Sequence, residues 1–255
     1  MISFSRIMSF WYFLISIIGI SFVVLFIFGF PRKKSKRKHN LEGLDAPEVA
    51  KAFEKMTGFL PFKLLRRKIV SELKKVNLEG NGIDIGCGSG NLIIDIRKKI
   101  PKLNLTGVDI SSEILDLAKK KINQTSLLES IEFKIGTVEK LPFPDNSSDF
   151  IISTLSLHHW INPLNAFNEI YRVLKKNGIL LLFDFRRDSR RFFYGLFRFA
   201  TNVVVPKALK AINEPLGSIQ SSYTPGEVVQ LFSHTPFEEV TINPYLSWMF
   251  INAKK

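Results

Sequence analysis

The sequence is poor in cysteine, in histidine and in acidic residues, and each shortage narrows what the chain does. Its one cysteine, Cys87, has no partner within the chain, so no internal disulfide is available and nothing points to an oxidising compartment. Four histidines and one cysteine form no cluster with metal-ligand spacing, and no metal site is expected. Acids number 23 against 36 basic residues, a formal net charge of +13. Such an excess favours an anionic partner, either nucleic acid or an anionic membrane surface. Position decides between them. Arg32, Lys33, Lys34, Lys36, Arg37 and Lys38 form the densest basic run, and it directly follows an apolar segment, so lipid headgroups are the expected partner and nucleic acid is not. With 45% hydrophobic and 23% charged residues, the chain has enough apolar material for a folded core, which excludes global disorder.

Charge is absent altogether from Ile7 to Pro31. Within that run Ser9–Phe30 holds 22 residues, about 33 Å as a helix against a hydrocarbon core of about 30 Å. Trp11 and Tyr12 lie near one end, where aromatic side chains suit the membrane interface. A cleaved signal peptide is the competing reading, with Gly19-Ile20-Ser21 as a small-residue site. The apolar run continues past it, however, and the basic cluster follows the run instead of preceding it. The sequence therefore predicts a single-pass anchor over residues 1–31 and a basic linker over 32–43. A domain over 44–255 follows, placed in the cytoplasm by the positive-inside rule.

In that domain short apolar runs alternate with amphipathic ones. Helices are expected over Pro47–Phe59 and from Phe62 to Val76, then over Asn91–Lys99, from Ser111 to about Ile122, and from Asn162 to a stop at Asn177-Gly178. Strands are expected at Ile83–Ile85, Asn104–Asp109, Ile131–Ile135, Phe150–Ser153 and Ile179–Phe185, with a closing hairpin of Val240–Asn243 and Trp248–Asn252. This order predicts an α/β fold: a Rossmann-like, doubly wound, mostly parallel seven-stranded sheet with a C-terminal antiparallel hairpin, preceded by one transmembrane helix. An Arg- and Phe-rich insert at about 186–222 interrupts the pattern.

The chemistry lies in Ile83-Asp84-Ile85-Gly86-Cys87-Gly88-Ser89-Gly90-Asn91, which reads as strand, glycine turn and helix. The glycines let backbone approach a ligand and leave amides open at a helix N-terminus. A dinucleotide fingerprint needs glycine at position 91, where Asn91 stands, so a nicotinamide-dependent oxidoreductase is disfavoured.

The turn resembles motif I of the class I, Rossmann-like methyltransferases, specifically the methyltransferase type 11 group. Thr106–Ser111 resembles the end of that family's second strand, Phe133–Phe143 its adenine-contacting segment and Ser148–Ser153 its fourth strand. Leu157–Trp160, Asn162-Pro163 and Leu174–Gly178 complete the match, which spans roughly Phe62 to Asp184. The resemblance implies S-adenosyl-L-methionine as cofactor. It implies contacts from Asp84, Gly86, Cys87, Gly88, Gly90, Asp109, Ile110, Val138, Glu139 and Ser153, with Asp109 on the ribose hydroxyls. The family pattern has Asp-Ala where this chain has Thr137-Val138. His158 and His159, after the fourth strand, are candidate general bases, the competing reading being one structural and one solvated histidine. Anchor and insert together suggest a small lipophilic methyl acceptor. A catalytically silent, membrane-tethered cofactor-binding module and a methyltransferase acting on protein or nucleic acid are the alternatives.

Overall fold

A computed structural model describes residues 4–29, 35–39, 46–125 and 131–255. Seven strands form one sheet: β1 (Asn81–Ile85), β2 (Asn104–Asp109), β3 (Ile131–Ile135), β4 (Ser148–Thr154), β5 (Leu174–Phe185), β6 (Glu239–Pro244) and β7 (Trp248–Lys254). Their order is β3-β2-β1-β4-β5-β7-β6, parallel through β5 and antiparallel at β7 and β6. The expected mostly parallel sheet with a C-terminal hairpin is therefore present. Strand order reverses at β1, so a crevice opens beyond the carboxyl ends of β1 and β4, where open α/β sheets bind ligands.

The helices are α1 (Phe4–Val24), α2 (Pro47–Thr57), α3 (Leu60–Lys75), α4 (Asn91–Lys99), α5 (Ser112–Asn123) and α6 (Pro163–Val173), then α7 (Arg191–Phe199), α8 (Lys207–Ala211), α9 (Leu216–Ser221) and α10 (Pro225–Phe232). Three starts obey local chemistry. Ser111 accepts from Ile114 N–H, Asn162 accepts from Asn165 N–H, and Thr224 with Glu227 forms a reciprocal capping box.

The central strands are apolar because both of their faces are covered. Ile151 packs on one face with Phe167 and Ile170 of α6 and Val228 of α10. Its neighbours Phe150 and Ile152 pack on the other, with Ile69 and Leu73 of α3 and Ile93 and Ile96 of α4. That alternation is the period-two signature of a strand between two helical layers. A smaller cluster joins Val49 and Met56 of α2 to Leu209 of α8, with Phe62 against it, and makes a cap beside the crevice.

The structure departs from the sequence reading at two places. α6 ends at Val173 rather than at Asn177-Gly178, and the chain enters β5 directly at Leu174. Leu174 pairs with Ser148, a register shift follows, and Ile179 resumes the ladder opposite Phe150. Asn177, at φ 64°, sits in that excursion and donates its N–H to the Lys255 carbonyl, a bond to the far end of the chain that local spacing does not reveal.

The second departure concerns the expected transmembrane helix. Among the described residues no helix is long and apolar enough to cross a membrane. α1 is helical, with Trp11, Phe13, Ile15, Ile18, Ile20 and Phe22 all exposed. Arg32, Lys33 and Lys34 of the basic linker lie outside the described residues, as do 40–45. The part within them, 35–39, lies on the domain. Arg37 donates to the carbonyls of Ser221 (2.5 Å) and His158 (3.0 Å) and lies 4.2 Å over the Tyr223 ring. Lys38 N–H donates to Gln220, and Arg187 donates to the Ser35 carbonyl at 2.9 Å.

Candidate active site

β1 delivers the chain into the crevice and Gly86 turns it. Gly86 has φ +68°, and a Cβ there would lie 2.5 Å from Ser156 Oγ. Any side chain at this position would be strained and would collide with β4's exit loop. Gly86 and Cys87 both donate their N–H groups to the Val108 carbonyl (2.8 and 3.1 Å), which ties the turn to β2. At Gly88, with φ +54°, the nearest side chain is Phe53 of α2, so the loop runs directly beneath the cap.

Two cavities line this turn and share Gly86, Ser156 and His159. One is lined by Asp109, Ile110, Ser111, Thr137, Val138 and Glu139, the residues expected around ribose and adenine. The other is bounded by Cys87, Gly88 and Ser89 below and by Phe53, Met56, Phe62, Leu65, Phe185 and Ile212 around its wall. Both are largely apolar with a polar edge, formed in the first by Asp109, Ser111, Thr137 and Glu139 and in the second by Thr57, Arg66, Asn91 and Glu214.

Asp109 is 4% exposed, and both of its oxygens accept backbone N–H groups: Oδ2 from Gly88 at 2.8 Å and Oδ1 from Ser111 at 3.1 Å. This anchors the carboxylate as an acceptor at the cavity wall, with lone pairs remaining for a diol. Asp84 is different. It is 1% exposed, and neither of its carboxylate oxygens has a hydrogen-bond partner among the described residues. Burial, reinforced by the negative charge of Asp109, raises its pKa to about 8. Buried polar groups are rarely left without a partner, and such an exception calls for a ligand or a strain to explain it. Burial also pushes the Cys87 thiol well above its ordinary range, aided by the charges of Asp84 and Asp109, so it is no nucleophile.

The two histidines, adjacent in sequence, have separate fates on the 3-10 turn Leu157–His159. His158 is 1% exposed and lines neither cavity. Its Nδ1 lies 2.7 Å from Asp184 Oδ1, and its backbone N–H donates to Asp184 Oδ2 at 3.0 Å. His159 packs against it with the rings tilted by 45° and their centroids 4.1 Å apart, and lines both cavities.

Three expected cofactor contacts sit back from the cavity walls. The Ser153 hydroxyl donates to the Ile85 carbonyl at 2.7 Å and so pins β4 to β1. Gly90 is the left-handed N-cap of α4, and Asp84 lies beneath the turn, lining neither cavity. Several contributors left no signal in the sequence. Ser156 lies where the cavities meet and accepts from Trp160 Nε1 at 3.0 Å. Leu155, just before it, holds φ 56°, a costly geometry for a bulky residue. Glu54 of α2 pairs with Lys121 of α5 at 2.6 Å, and Lys121 also donates to the Ser89 carbonyl, clamping the glycine turn between two helices. The glycines, the two carboxylates, Ile110, Val138, Glu139 and His159 had a local pattern by which to be found; Ser156, Leu155, Glu54 and Lys121 had none.

These residues fit the cofactor that the motif implies. The ligand carries an ammonium and a sulfonium, and the orphaned Asp84 carboxyl is a buried acid awaiting positive charge. Its diol matches Asp109, and Gly86 and Gly88 leave room for close approach of backbone. Among the described residues no group of acids, histidines and cysteine is placed to hold a metal.

Known proteins agree with this geometry. The methyltransferase-domain family model matches residues 83–182. The ubiquinone/menaquinone biosynthesis C-methyltransferase UbiE of Rickettsia bellii (strain OSU 85-389) is 30% identical over 190 residues, covering 72% of this chain and 77% of that protein. Among solved structures, a SAM-dependent methyltransferase from Aquifex aeolicus superposes with TM-score 0.59 at 21% identity, over 82% of this chain and 98% of the other. The plantazolicin methyltransferase BamL, solved with SAH, gives TM-score 0.66 at 17% identity, over 83% of this chain and 92% of the other. On its likeness to the Rickettsia bellii enzyme over most of both chains, with the family model matching inside the same region, the chain belongs to the class I S-adenosylmethionine-dependent methyltransferases and is an enzyme of that family.

Proposed function

We propose that the enzyme transfers the methyl group to a small lipophilic acceptor, a quinone-type ring or its precursor, taken up at a membrane to whose cytoplasmic side the N-terminal segment anchors it. The observation that carries the acceptor class is the apolar wall of the second cavity, with Phe53, Met56, Phe62, Leu65, Phe185 and Ile212 around the point where His159 and Ser156 face inward. The relative in Rickettsia bellii is named for C-methylation in ubiquinone and menaquinone biosynthesis, which supports the same chemistry. The anchor rests on the sequence: the charge-free run from Ile7 to Pro31 and the basic run after it.

When bound, the cofactor supplies an electrophilic methyl on a sulfonium, its own leaving group. The chain's residues have correspondingly little covalent work. In this reading Asp84 faces the positive charge, Asp109 holds the ribose hydroxyls, and Gly86 and Gly88 fix the height of the ligand. Ile110, Val138 and Glu139 border the adenine. The cap of α2 and α8 keeps water from the acceptor and holds it in line. His159 takes the proton that the acceptor gives up as it gains the methyl. His158, sealed against Asp184, positions His159 from behind.

The test is methyl transfer from radiolabelled S-adenosylmethionine by the full chain, with demethylated quinone precursors, a water-soluble catechol and a primary amine offered separately. Label in the quinone fraction supports the reading. Label only in the catechol or the amine refutes it.

A further inference from the structure

Between β5 and α10 the chain from Ser189 to Asn213 contains no acidic residue and carries Arg190, Arg191, Arg198, Lys207 and Lys210. Its principal helix, α7, buries none of its side chains. Leu196, Phe199, Val203 and Val204 are each more than half exposed, at 51%, 55%, 66% and 57%. Leu196, Phe199 and Val203 recur three and four residues apart along α7 and the helical turn that continues it, so they share one side, and Val204 adjoins Val203 at its edge. Large apolar residues gathered on one exposed face mark an interaction surface.

The other side of the helix is pinned. Phe197 packs edge-on against Phe185 with centroids 4.9 Å apart, and the Tyr194 hydroxyl accepts from Gln220 Nε2 at 2.8 Å. On the exposed side, one helical turn before Leu196, Phe192 meets Phe26, just beyond α1, edge-on at 5.8 Å. The exposed face is thus held rigidly outward and lies on the side that the N-terminal segment approaches.

We propose that this face docks into the interface of an anionic lipid bilayer, with Leu196, Phe199, Val203 and Val204 among the acyl chains and the five cations at the level of the phosphates. Charge selects the occupant. A second copy would bring the same cations against each other with no acid in the segment to offset them. A nucleic acid would satisfy the cations and leave the four apolar side chains in water. An anionic bilayer satisfies both. The surface binds lipid whatever the acceptor is, so it goes beyond the acceptor reading. It also gives that reading a route, because Phe185, Ile212, Pro215 and Ser218, beside or just after the segment, line the acceptor cavity.

The test places an environment-sensitive nitrobenzoxadiazole label on the full chain at Leu196→Cys and, separately, at Val203→Cys. Val229→Cys, 57% exposed on α10, serves as the comparison site, and the wild type controls for Cys87. Vesicles of phosphatidylcholine, with and without phosphatidylglycerol, are added. Emission at 196 and 203 is expected to rise several-fold with the anionic vesicles and to be quenched by brominated acyl chains, while 229 stays as in buffer. Unchanged emission at 196 and 203 while the chain floats with the vesicles would overturn the proposal, since α1 alone would then carry the attachment. So would a change that appears without lipid and grows with protein concentration, or one produced by an oligonucleotide instead of vesicles.

Discussion

Replacing Asp84 by Asn separates two consequences of one buried carboxyl. Burial and the neighbouring charge of Asp109 raise its pKa to about 8, against 3.8 for an exposed aspartate. At pH 7 only about one tenth of the ligand-free enzyme therefore carries the charge. The folded state holds a proton that the unfolded chain releases, so stability from this group is full below about pH 4. It falls by about 1.4 kcal/mol per pH unit up to about pH 8, where the folded form ionises as well. Asparagine keeps the shape and has no proton to lose. D84N should therefore be more stable than wild type by at most about 4 kcal/mol at pH 7, on the order of 10 °C in melting temperature, with little difference near pH 4. Binding moves the other way. A charge-assisted contact to the cofactor's ammonium contributes about 1.5–3 kcal/mol, so its loss weakens affinity by about tenfold to a hundredfold. Wild-type affinity should also rise about tenfold per unit between pH 6 and 8, until the ligand's own amino group titrates near pH 8. Melting curves of both proteins from pH 4 to 9, with calorimetric titration of S-adenosylmethionine, read each effect separately. A variant that melts below wild type at every pH and binds the cofactor equally well would refute the assignment of Asp84 as an unpartnered acid held for a cationic ligand.

Other predictions address the remaining parts of the site. Asp109→Ala removes the acceptor of the Gly88 and Ser111 amides as well as the ribose contact; cofactor Kd should rise a hundredfold or more, measured by calorimetry, and an unchanged Kd would exclude the ribose role. His159→Asn should lower kcat while leaving cofactor Kd within about twofold, whereas His158→Asn should act chiefly on melting temperature, because that ring is bonded to Asp184 inside the fold. Arg37→Ala removes charged donors from the Ser221 and His158 carbonyls, worth about 1.5–3 kcal/mol each; kcat should fall with melting temperature, and Arg37→Lys should restore only part because it cannot span both acceptors. Gly86→Ala should fail to bind cofactor in calorimetry even where it folds, since its Cβ would meet Ser156 Oγ at 2.5 Å.

What the sequence determined by itself is what depends on neighbours along the chain. The strands from β1 to β5 announced themselves as short runs rich in apolar residues, the central ones because both their faces are buried. Helix starts at Ser111 and Asn162 were legible because a cap is a bond between residues three apart. The glycine turn and its two carboxylates were legible because a backbone that must run at φ +68° and +54° admits little but glycine. Tertiary structure decided what depends on residues far apart. His158 and His159 look alike in the sequence; Asp184, 26 residues on, draws one inward and leaves the other facing both cavities. Asn177-Gly178 reads as a helix stop, yet pairing of Leu174 with Ser148 commits it to an excursion in β5. Ser153 reads as a ligand contact and is a pin between strands, because its partner is the carbonyl of Ile85 on the adjacent strand. The linker residue Arg37 reads as part of a basic run for lipid headgroups; its place over Tyr223, against carbonyls 121 and 184 residues away, follows only from the packing of α9 and the turn after β4. Local patterns encode dihedral angles and single hydrogen bonds, whereas the choice among chemically equal side chains is made by burial and by distant partners, which no spacing along the chain records.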